Sequence, residues 1–154
     1  MPSPNHAYRE AGHVVMCIAR GVTFDYVSIT DSDVSLCRYN AAALYFYQYR
    51  AIPSQVLKAM AFHAVLIALA GPAAVTGSPV ETADDLLSAA ILVAENIAWF
   101  YSRNPDRFLT ARFREARKVM QQQWDLVEQV VGLLNEHRRL HHAALLNLLG
   151  LPNP

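Results

Sequence analysis

An excess of charge, cysteine and long apolar runs are what this sequence lacks. Its 154 residues carry 13 lysines and arginines against 13 aspartates and glutamates, a formal net charge of zero. Attraction to nucleic acid or to an anionic membrane surface grows with a basic excess, so neither is an expected partner. The two cysteines, Cys17 and Cys37, lack metal-site spacing and the density of a disulfide scaffold. A reduced pair in a cytoplasmic protein is the expectation. No basic segment followed by an apolar run opens the chain, so no secretory signal is read there. The most apolar stretch, Ala59 to Val75, contains His63 and Gly71-Pro72 and falls short of the ~20 residues that cross a bilayer. It reads as a buried core helix, and no membrane span is expected.

What is present is a globular composition, 53% hydrophobic, long enough for one domain over residues 1–154. Ser3-Pro4 supplies an N-cap followed by proline, and Arg20-Gly21 supplies a basic last turn with a terminating glycine. A first helix is therefore predicted from Pro4 to Arg20. Val22 to Ile29, the turn residues Thr30 to Asp33, and Val34 to Arg38 predict one short β-hairpin. Residues 41–50 are ambiguous between helix and strand, with a weak tilt to helix. Ser54 to Val75 predicts a largely buried helix, ended by Gly71-Pro72 or by the loop of residues 77–79. Thr82 caps another helix, Ala83 to Ser102, apolar nearly all round. Asn104-Pro105 opens the last helical region. Its stripe of Leu109, Phe113, Ala116, Met120, Trp124, Val127, Val131 and Leu134 recurs at three- and four-residue steps. That pattern continues to Gly150 with a bend expected near Gly132 or Asn135. The fold class is mainly α, a helical bundle with one short hairpin.

The chemistry concentrates in Tyr8 to Val15, Tyr-Arg-Glu-Ala-Gly-His-Val-Val. In the H-E-x-x-H pattern, two histidines four residues apart share a helical face and hold Zn²⁺, while the glutamate activates a water. Glu10 and His13 stand in the second and last positions, but Arg9 stands in the first. A guanidinium has only donors and cannot ligate a cation. With this segment, Val65 to Ala74 (VLIALAGPAA) and Thr82 to Ala90 (TADDLLSAA), the chain resembles the peptidase domain of the FtsH-type ATP-dependent zinc metalloprotease family. The family's versions read A-Y-H-E-A-G-H-A-V, L-A-G-R-A-A and G-A-x-x-D-L-x-x-A. The order and spacing agree, and the likeness covers most of the chain. It implies that fold, with metal ligands His13 and Asp85, catalytic base Glu10, and Arg9 as a degenerate ligand position. The G-x-x-x-x-G-K-[ST] phosphate loop of that family's ATPase module does not occur in this sequence.

A hydrolytic zinc site needs three protein ligands and an open position for water. His6 lies two turns before His13, about 10 Å along the axis, too far to fill the gap readily. Arg9 paired with Asp85 is a sharper expectation, because a guanidinium grips a carboxylate bidentately and replaces the metal as a crosslink. Asp85 is equally read as a helix-capping residue after Thr82, and Asp84 as a first-turn dipole partner. Gly12 is expected to allow close packing beside the motif. His63 reads as a core histidine, and His137, His141 and His142 as a surface cluster. Tyr45, Phe46, Tyr47, Tyr49, Trp99, Phe100 and Tyr101 read as core, with a peptide groove or dimer contact as the lesser reading. Three functions follow. The leading one is a stand-alone peptidase-like domain, catalytically impaired, that binds a protein, a peptide or a second copy of itself. The others are an active zinc endopeptidase with an atypical ligand set, and a structural or regulatory helical module.

Overall fold

The computed structural model describes residues 4–30, 55–75 and 104–153. In chain order its elements are α1 (Pro4–Arg20), β1 (Tyr26–Ser28), α2 (Gln55–Val75), α3 (Pro105–Gln122), α4 (Trp124–His137), β2 (Arg139–His141) and α5 (His142–Leu149). The described chain is mainly α, five helices with a short two-stranded antiparallel sheet. The 41–50 segment, the Ala83–Ser102 helix with Asp84 and Asp85, the aromatic clusters at 45–49 and 99–101, and Cys37 lie outside the described residues.

Helix α1 has the predicted bounds, and its end shows why. Gly21 takes φ +66°, a left-handed conformation that costs glycine no Cβ clash. Its N–H donates to the Ile18 carbonyl (3.2 Å), and that of Val22 donates to the Cys17 carbonyl (2.8 Å). This pair of bonds satisfies carbonyls that the helix end would otherwise leave open. Every residue from Glu10 to Cys17 is buried, because α1 packs against α2, α3 and α4. The closest approach is to α2. A Cβ added at Gly12 would overlap the Ala70 carbonyl oxygen and lie 2.9 Å from Ala74 Cβ. Helix α2 runs through Gly71-Pro72 to Val75 rather than ending there. Pro72 withholds one donor from the Ala68 carbonyl near the helix end, where few bonds are lost.

Asn104 caps α3 as expected, its side-chain oxygen accepting from the Arg107 N–H at 3.1 Å. Beyond it the predicted long helix is corrected in two places. A break at Gln123 (φ −109°, ψ 22°) separates α3 from α4. That break turns Trp124 out of the predicted stripe: it is 39% exposed and stacks on Tyr8 with ring centroids 5.7 Å apart. The second break is at Arg138, φ +67°, rather than at Gly132 or Asn135. Its N–H closes α4 onto the Leu134 carbonyl (2.8 Å), and its carbonyl accepts from the Ile29 N–H (2.9 Å).

The described sheet joins two segments distant in the sequence. Strand β1 covers only Tyr26–Ser28 and pairs with β2, in register Tyr26 with His141, Val27 with Leu140 and Ser28 with Arg139. The expected return strand, Val34 to Arg38, lies outside the described residues. The Arg139 guanidinium lies 4.0 Å above the Tyr26 ring, a cation–π contact across the ladder. Among the described residues no helix is long and apolar enough to cross a membrane.

Gly132 contrasts with Gly12. It is exposed within α4, and a Cβ there would meet nothing within 4 Å. Gly132→Ala should therefore raise stability by about 0.5–1 kcal/mol through helix propensity alone. A urea midpoint that falls in this variant would show that the α4 surface is not open.

Candidate functional site

Helical periodicity puts His6, Arg9, Glu10 and His13 (i, i+3, i+4, i+7) on one face of α1. Three of the four sequence-named site residues, Arg9, Glu10 and His13, are thereby brought together. Asp85, the fourth, lies outside the described residues. The face meets the second half of α2, where the absence of a side chain at Gly71 makes room for it. A Cβ at Gly71 would collide with the His13 imidazole and lie 2.9 Å from Arg9 Cγ.

His13 is 1% exposed. Its Nδ1 donates to the Ile67 carbonyl at 2.6 Å, and since a carbonyl only accepts, the proton sits on Nδ1. In its neutral form the ring carries its basic lone pair on Nε2. This is the arrangement by which a metal-ligating histidine is oriented, and it serves a structural histidine equally well. Glu10, 2% exposed, holds its carboxylate beside the Arg9 guanidinium and the His6 ring: Oε1 lies 3.6 Å from Arg9 Nε and 3.8 Å from His6 Nε2. A buried carboxylate is tolerated where such partners offset its desolvation. Arg9 is partly exposed, its side chain at 29%.

Among the described residues no group of three or more His, Cys, Asp or Glu side chains is placed to hold an ion. Arg9 offers only N–H donors at the position where a ligand is required. The described residues alone do not fit a zinc site, and no catalytic step is assigned to one. Two participants, the Ile67 carbonyl and Gly71, escaped the sequence reading. The signal available for Gly71 was a glycine inside an apolar helix, which marks close backbone approach.

The remaining histidines stand apart from this face. His63 on α2 is half-buried. His137, His141 and His142 do not share a helical face, because the Arg138 break intervenes. His137 ends α4 with Glu136 at 4.0 Å, His141 sits in β2, and His142 opens α5 edge-on to Phe24, with centroids 4.6 Å apart. Arg20 Nη2 bonds Glu115 at 2.7 Å, and Arg112 Nε reaches the other carboxylate oxygen at 3.3 Å. That network ties the end of α1 to α3.

Burial lowers the pKa of His6 from its ordinary 6.5, and the Arg9 charge lowers it further. The nearby Glu10 would act in the opposite sense, but desolvation prevails. Burial likewise lowers His63, Arg20 adding to the effect and Glu115 opposing it. Each histidine thus binds fewer protons folded than unfolded. Its contribution is intact above pH ~6.5 and is lost as pH falls from there through the folded-state pKa. Unfolding free energy should decline as pH falls below about 6.5, the ordinary histidine value. The double variant His6→Gln/His63→Gln should flatten that decline, and an unchanged profile would refute the assignment.

Compared with protein-family models and with curated proteins, the chain matches none.

Proposed function

We propose that this chain is an FtsH-type peptidase-like domain whose metal has been superseded by a protein cation. It acts by binding a protein or peptide, a second copy of the chain included, rather than by efficient hydrolysis. The observation that carries the reading is Arg9: a permanent cation on α1, its stem against Gly71 and its Nε 3.6 Å from the buried Glu10 carboxylate. In the resemblance that is the position of a zinc ligand, with Glu10 as base and His13 and Asp85 as the other ligands. Arg9 compensates Glu10 electrostatically as an ion would, and Asp85 is the second carboxylate assigned to it. A charged Glu10 held this way makes a poorer base than one facing only water.

A second reading, an active zinc endopeptidase with an atypical ligand set, is favoured by one observation. The Nδ1 bond of His13 to Ile67 keeps the tautomer that a ligand needs. Elemental analysis of tag-free protein, paired with cleavage of an unstructured casein, separates the two. The first reading expects substoichiometric zinc and no cleavage above background. One tightly held zinc per chain together with turnover that a chelator abolishes would establish the second.

A further inference from the structure

The outward face of α3 is unlike the rest of this electrically neutral chain. Arg107, Arg114 and Lys118, seven and four residues apart, fall within about 40° of one another around the helix and span about 16 Å of its length. Arg117 flanks them, and all four are exposed. Among the described residues none of the four makes an ion pair, whereas Arg112 of the same helix shares Glu115 with Arg20. The other acid of α3, Asp106, sits in the first turn, where the helix dipole favours it. The opposite face buries Phe113, Ala116 and Met120, so this basic face is turned away from the core. Like charges three and four residues apart oppose helix formation. Among the described residues no ion pair offsets that repulsion.

We propose that this stripe docks an acidic segment of a partner protein. Three of its four cations are arginines, whose planar forks pair bidentately with carboxylates. Its length matches three turns of an acidic helix or an extended acidic stretch of about five residues. A polyanion such as nucleic acid is a poorer fit, because the chain's net charge is zero and nucleic-acid-binding domains are strongly basic. A lipid surface is poorer still. Membrane-seated helices set large apolar side chains beside their cations, but the exposed neighbours here are Thr110, Ala111 and Gln121. Among the described residues the exposed large apolar side chains, Trp124 and Leu148, stand on α4 and α5. This proposal does not depend on the Arg9 site.

The test measures binding of the full chain to a fluorescein-labelled helical peptide with glutamate at every third and fourth position. Its glutamine counterpart, labelled single-stranded DNA and phosphatidylserine vesicles run in parallel. The acidic peptide should bind, weakening as salt rises past about 0.15 M, and the glutamine peptide should not. The R107Q/R114Q/K118Q variant should lose about tenfold or more in affinity while keeping its melting transition. Gln129, Asn135 and Asn147 are exposed elsewhere, and Q129E/N135E/N147E changes the net charge equally; it should stay within about twofold of the parent. Equal loss in both variants, no loss in the first, or tighter binding to DNA or vesicles than to the peptide would each overturn the proposal.

Discussion

Gly12→Val should lower the free energy of unfolding by about 3 kcal/mol, the upper end of what overpacking a close contact costs. The first atom a Cβ would meet is the Ala70 carbonyl oxygen of α2, which is backbone inside a helix and cannot rotate aside. The helices must separate instead, loosening the packing of Val14, Val15, Ile67 and Leu69, all fully buried around the same crossing. Valine's helix propensity is only slightly better than glycine's, so little is recovered locally. The check is urea unfolding, with the midpoint displaced and the slope unchanged. A loss below about 1 kcal/mol would mean the helices do not approach this closely. Gly71→Ala probes the same crossing from the other side. The colliding atoms there belong to the His13 ring, so that variant should break the Nδ1 bond to Ile67 rather than part the helices.

Arg9→His should produce the largest change in ligand binding. In the proposed reading it restores the histidine of the H-E-x-x-H pattern four residues before His13, whose tautomer already suits coordination. Zinc affinity should rise by about a hundredfold or more, since even partners behind the ligands are worth ten- to a hundredfold. Calorimetric titration of zinc into both proteins measures this. The Arg9→Gln variant removes the cation without supplying a ligand, and it should gain no comparable affinity. A folded Arg9→His protein that still takes up no zinc would show that His13 and Asp85 do not converge on one site. The idea of a superseded metal would then fail, leaving the acidic-partner surface of α3 untouched.

These variants also show what the chain discloses at each level. The bounds of α1 and the start of α3 were legible because capping is local: Arg20-Gly21 and Asn104-Pro105 act through bonds within a few residues. The buried stripe from Phe113 to Leu134 was legible for the same reason of periodicity, except at Trp124, where one irregular residue, Gln123, displaced it to the surface. Arg9, Glu10 and His13 were nameable from spacing alone, since four residues make one helical turn. Their surroundings were not. The Ile67 carbonyl that sets the His13 tautomer and the space at Gly71 that admits the ring belong to another helix.

Within the described residues, local propensity, periodicity and short-range hydrogen bonds thus determined from the sequence which segments are helical and which residue types could do chemistry. Tertiary structure alone decided the pairing of β1 with β2, the left-handed turn at Arg138 and the contact between α1 and α2 at Gly12 and Gly71. The physical reason is distance along the chain. Arg138 has no conformational preference for φ +67°, and β1 is too short to specify a partner. Both are settled only when burial of the α1 core brings Ile29 within hydrogen-bonding reach of Arg138.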